Sequence, residues 1–141
     1  MSASASRTDH RAGPIEGLTD HDLFCAAAFI DGQRTGLDAA AVIAVTDPAT
    51  GQAIGSVPAL DGAASTASVD AAARAFPAWS GLLPQERSAI LRRWYDAIRA
   101  ARDDLALIMT REQGKPLSEA RGEIDYAASF VEFYAEEAKR P

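Results

Sequence analysis

The stretch from about Ser118 to Lys139 carries apolar residues on two faces at helical spacing, and this constrains the chain more than any other feature. Ile124, Ala127, Ala128, Val131, Ala135 and Ala138 recur as one stripe. Tyr126, Phe130 and Phe133, at i, i+4 and i+7, make a second, with Tyr134 beside it. A helix apolar on two sides is normally held between two layers, and the preceding helices supply only one. Two readings follow. Either this is an ordinary, tightly packed helical core, or the second layer is missing from these residues or supplied by another chain. Lys139 and Arg140 fall at the negative end of the helix dipole, where cations are favoured.

Upstream, the hydrophobic period changes once. From about Ala64 it is helical: Val69, Ala72, Ala73, Phe76 and Trp79 form one apolar stripe. Gly81 punctuates it, and Pro84 suits the first turn of the next helix. There Ile90, Leu91, Trp94, Tyr95 and Ile98 make a stripe, Asp103 and Asp104 restart the helix, and Leu105, Ile108 and Met109 continue the buried face. Gly114 and Pro116 end that helix by the Gly-then-Pro stop. Before Ala64 the pattern is β. Ala28-Phe29-Ile30 and Gln33-Arg34-Thr35 flank Asp31-Gly32, a pair suited to a two-residue turn with positive φ. Val42 to Thr46 is β-branched, Asp47-Pro48-Ala49-Thr50-Gly51 is a turn, and Ala53 to Val57 returns before Pro58 stops it. Thr19-Asp20 can cap a short helix between Leu18 and Cys25. The expected fold is α+β with helix in excess: two small N-terminal β hairpins, then three helices.

Residues 1–17 are small, polar and aperiodic and are read as a mobile tail, leaving 18–141 as one structural unit. The tail carries two arginines but also Asp9, and it lacks an apolar core, which argues against a secretory signal; an organelle transit peptide is the weaker alternative. The formal net charge of −6 is spread along the chain, which opposes nucleic-acid binding. No apolar run reaches membrane-spanning length. One cysteine excludes an internal disulfide and fits a reducing compartment, so a cytoplasmic location is expected.

Constellations that carry chemistry are few. Cys25 is the only thiol, and His21 precedes it by four residues on one helical face. Thiolate catalysis needs a base beside the sulfur, but a lone cysteine next to Ala26 and Ala27 is better read as a small buried hydrophobe. Two such ligands cannot fill a zinc site. The glycines show neither GxGxxG nor GxxxxGK[ST] spacing, and Gly114-Lys115 reads as a helix stop rather than a phosphate loop. Glu119, Glu123 and Asp125, like Arg87, Arg92, Arg93 and Arg99, read as solvated helix faces.

The runs Phe29-Ile30-Asp31-Gly32, Asp47-Pro48-Ala49-Thr50-Gly51 and Ala72-Ala73-Arg74-Ala75-Phe76 with Trp79 resemble the N-terminal part of aldehyde dehydrogenases, and Glu86-Arg87 with Ile90-Leu91 continue the match. The segment Glu112 to Ile124, with Tyr126 to Phe130 and Tyr134 to Arg140, is similar to the succinate-semialdehyde branch of that family. One departure is Arg34-Thr35, where the family often carries a tryptophan. The resemblance implies an NAD- or NADP-dependent enzyme that oxidises an aldehyde through a cysteine thioester, with an asparagine-lined oxyanion hole and a glutamate that activates water. It also implies that those residues and the dinucleotide-binding strands follow this region, and that Cys25 matches none of them. The residues from Leu18 onward would then be the incomplete opening part of an α/β cofactor domain, inactive alone and binding no cofactor. Complete relatives are expected to be homo-oligomers acting on a small aldehyde. Tyr126 falls where the family places a side chain near the substrate tunnel, with Phe130 one turn on. Packing against another layer is an equal alternative for both. A different reading makes the chain a stand-alone helical module that docks a partner through Tyr126, Phe130 and Phe133.

Overall fold

A computed structural model describes residues 15–140. Most of the expected mobile tail, residues 1–14, lies outside the described residues; at its end Ile15 is only 2% exposed, and Leu18 is also buried. Asp20 caps a single 3₁₀ turn, His21–Leu23, by accepting the Asp22 N–H at 3.0 Å.

Two antiparallel hairpins follow. Strands β1 (Ala28–Ile30) and β2 (Gln33–Thr35) pair with Ile30 opposite Gln33. Asp31 and Gly32 between them take φ of 53° and 76°, the doubly positive conformation that matches a tight turn to the strand twist. Strands β3 (Val42–Thr46) and β4 (Ala53–Pro58) pair from Val42–Pro58 to Thr46–Ala53, with an irregularity between Val45 and Thr46. Pro58 closes β4 at its last paired position, where a missing N–H costs least. The two pairs form separate two-stranded sheets.

Four helices complete the described chain: α1 (Gly62–Ser80), α2 (Pro84–Ala100), α3 (Arg102–Gln113) and α4 (Leu117–Glu137). The sequence reading of three helices merges α2 and α3, which break at Ala101 without a glycine or proline to mark the site. Asp61 caps α1 by accepting the Ala64 N–H at 3.0 Å. Pro84 opens α2, and the Glu86 carboxylate reaches back to the Leu83 N–H at 2.8 Å. Gly114 ends α3 in the left-handed conformation at φ 77°. Lys139 and Arg140 lie past the end of α4 and pair with Glu136 and Glu137.

The core is the junction of α2, α3 and α4. Ala106, Ala120 and Ile124 form its centre, and Ile98, Leu105, Met109 and Leu117 pack around them. Ala128 and Ala135 continue the buried line along α4 at 1% and 0% exposure. Small residues there let the helix axes approach closely. The stripe on α1 is a different matter. Val69 and Phe76 are 66% and 63% exposed, Trp79 is at the margin, and only Ala71 of that helix is buried. Helix α1 touches the other elements sparsely. Its amphipathic pattern is present, but no layer among the described residues covers it.

Candidate functional site

The two apolar faces read from the sequence of α4 part company in space. Ile124, Ala128 and Ala135 are buried and Val131 is half-buried, while Ala127 faces solvent. The aromatic face is open: Tyr126, Phe130, Phe133 and Tyr134 are all about half exposed or more. Tyr126 and Phe130 meet edge to face, with centroids 4.8 Å apart and planes at 75°. Phe133 and Tyr134 meet likewise at 5.3 Å. Such pairs add modestly to the energy of area burial and hold the rings in fixed mutual orientation. Beside Tyr126 lies an open cleft of about 320 Å³, lined also by Lys115, Glu119, Gly122 and Glu123.

Charges between helices hold this face in place. Arg102 donates from Nε and Nη2 to the two oxygens of Asp125, both at 2.7 Å, and Arg99 joins the same carboxylate. This fork geometry is the strong form of an arginine–carboxylate contact. Arg102, then Arg99, holds the Asp125 carboxyl below its ordinary value against partial desolvation. Arg92 reaches Glu132 at 2.6 Å, Arg121 reaches Asp103 at 2.8 Å, and Lys115 binds Glu123. The sequence reading of these residues as merely solvated charges is therefore corrected for Arg92, Arg99, Glu123 and Asp125. Arg92, Arg99 and Asp125 sit on wet faces but pair across helix–helix seams that the sequence does not display, and Glu123 pairs with Lys115 of the α3–α4 elbow.

Two further carboxylates were not singled out as organising residues. Asp104 is nearly buried and accepts the Thr19 N–H at 2.9 Å and the Asp20 N–H at 2.8 Å, tying the N-terminal segment to α3. Those two donors, Thr19 first, lower its carboxyl below the ordinary aspartate value. Asp47 is 5% exposed; one oxygen accepts the Ala49 N–H at 2.8 Å and the other Arg111 Nη1 at 3.2 Å. The Asp104 contacts and the Asp47–Arg111 pair span long stretches of chain, so no local pattern announces them.

Cys25 is half-buried and lines a cavity of about 100 Å³ with Phe24, Val45, Val57, Ile108 and Glu112. His21 is not among the lining residues of that cavity. Among the described residues no group of three His, Cys, Asp or Glu is placed to hold a metal. No described helix is long and apolar enough to cross a membrane. Asp61 caps α1, Glu86 lies in the first turn of α2, Asp103 and Asp104 in that of α3, and Glu119 in that of α4. Each of these helix N-termini thus has a carboxylate near its positive dipole end.

Residues 37–141 match the family model described as the aldehyde dehydrogenase family. The chain is 52% identical over 123 residues to glutarate-semialdehyde dehydrogenase of Pseudomonas putida, covering 87% of this chain and 26% of that protein. It is 50% identical, with the same coverage, to the succinate-semialdehyde dehydrogenase [NADP(+)] of Escherichia coli. Its backbone superposes on succinate-semialdehyde dehydrogenase from Burkholderia pseudomallei with a TM-score of 0.84 at 48% identity, over 88% of this chain and 26% of that one. The chain spans about a quarter of the length of the relatives it matches.

Proposed function

The chain belongs to the aldehyde dehydrogenase family, and from that premise we propose that its residues serve as the N-terminal region of an NAD(P)-dependent enzyme oxidising succinate semialdehyde to succinate. The observation that carries this reading is the 50% identity to an enzyme named for that substrate and for NADP. The relative at 52% is named for glutarate semialdehyde, one methylene longer, and favours that aldehyde as the second reading. Both are short aldehydes with a carboxylate at the far end. In this proposal Tyr126 and Phe130 form one wall of the aldehyde's path, their rigid edge-to-face contact giving it shape. In this reading the residues present turn over no aldehyde and hold no dinucleotide alone. A cytoplasmic setting and homo-oligomeric assembly belong to the same reading.

The test is a chimera in which these residues replace the matching quarter of the E. coli enzyme. Succinate semialdehyde should drive NADPH formation at 340 nm, with higher kcat/KM than for glutarate semialdehyde. A folded, assembled chimera without that activity would overturn the reading. Within it, Tyr126→Ala should lower kcat/KM for the semialdehyde by roughly tenfold, the loss of one well-placed side-chain contact worth about 1.4 kcal/mol. An unchanged value would remove Tyr126 from the path. The alternative, a stand-alone module docking a partner through Tyr126, Phe130 and Phe133, draws on the exposure of that face. It requires the purified chain to be a well-behaved monomer.

A further inference from the structure

The turn Asp47–Gly51 and the elbow between α3 and α4 lie far apart in sequence yet touch at two points. Arg111, in the last turn of α3, donates to buried Asp47 at 3.2 Å. Three residues on, Gly114 lies so close to Pro48 that a Cβ there would stand 2.9 Å from the proline Cγ. The turn is itself rigid: the Asp47 carbonyl accepts the Gly51 N–H at 2.7 Å, and its carboxylate accepts the Ala49 N–H. Lys115 follows Gly114 directly and leaves the elbow to bind Glu123 over the first turns of α4. Among the described residues lining the cleft beside Tyr126, Lys115 is the cation.

We propose that Asp47 is a positioning residue for that cleft: through Arg111 and the Pro48–Gly114 contact it fixes the elbow, and so holds Lys115 at the mouth of the space beside Tyr126. This deepens the reading of Tyr126 as part of the aldehyde path and rests on it. The physical chain is short. Asp47 is nearly buried and bonded on both oxygens. Arg111 transmits its position to the last turn of α3, and the close packing at Gly114 leaves the next backbone atoms little room. A substrate carboxylate entering beside Tyr126 would meet Lys115 there.

The test reads Lys115 directly and needs no aldehyde. The chain has two lysines, Lys115 and Lys139, so reductive ¹³C-methylation yields, beside the labelled α-amine, one reporter in the cleft and one distant control. In the intact chain, Glu123→Gln should move the Lys115 signal and identify it. Asp47→Asn should then shift it in the same direction, toward that of a free dimethyl-lysine, and leave Lys139 in place. Arg111→Gln breaks the same pair from its exposed side and should reproduce the shift if Asp47→Asn does not fold. A Lys115 signal that stays put in a folded variant would overturn the proposal, as would equal movement of both signals. Neither result depends on whether the substrate is a semialdehyde, so the failure of that reading stays separate.

Discussion

At Gly114 two constraints fall on one residue. Its φ of 77° belongs to the left-handed region, which costs an ordinary L-residue about 1–2 kcal/mol, and Pro48 occupies the space a side chain would need. Gly114→Ala should therefore lower the free energy of unfolding by at least about 1–2 kcal/mol in urea titrations, whereas Gly51→Ala, with open space around it, should cost only the backbone part. A smaller loss at position 114 than at 51 would show that the Pro48 contact yields. The glycine stop was legible, because a Gly followed by Pro after a periodic run has one common meaning. The proline above it was not, since nothing local ties position 48 to 114. Asp104 presents the same limit. Its place in the first turn of α3 could be read, but the two amides it receives sit 85 and 84 residues away. Asp104→Asn keeps the shape and removes the charge, so amide exchange at Thr19 and Asp20 should quicken while that at Ala128 stays unchanged.

Helix α4 divides cleanly into a side that tolerates nothing larger and a side that tolerates nearly anything. Ala128 and Ala135 are at most 1% exposed where the helices meet. Ala128→Leu should overpack that seam and cost about 1–3 kcal/mol, seen as a lower Tm. Phe133→Ser, at a residue 55% exposed, should leave Tm within a degree or two and raise solubility. Equal destabilisation by both would mean that the aromatic face is covered in solution. The first hairpin was readable to the residue, because Asp31-Gly32 fixes a two-residue turn, and the β-branched run fixed β3, while β4 runs one residue further than read, through Pro58. The restart at Asp103 and Asp104 was legible, but the position of the break at Ala101 was not, since neither a glycine nor a proline marks it. The α1 stripe marks a third kind of limit: periodicity shows that a helix has an apolar side without showing what lies against it.

Among the described residues, three carboxyls are held below their ordinary values: Asp104 by backbone amides, Asp125 by Arg102 and Arg99, and Glu136 by Lys139. Each binds its proton more readily in the unfolded chain. Their contribution to stability is therefore complete above the ordinary carboxylate range of about 3.9–4.3 and is lost as the pH falls through the lower folded-state values. Unfolding curves between pH 7 and 5 should nearly coincide on this account, with a steep loss below pH 4. Asp125→Asn should flatten that loss, and an unchanged slope would show that the pair with Arg102 is equally present in the unfolded chain.

The tie between Thr19 and Asp104 also sets an order of events in time. At about 5–20 residues per second, a ribosome needs roughly 4–17 s to add the 85 residues that separate the two partners. Each hairpin needs only on the order of microseconds to close. Once made, the strands can form and reopen many times before α3 is there to hold them. A nascent chain halted before residue 104 should therefore expose Thr19 to protease, and one released a few tens of residues later should not.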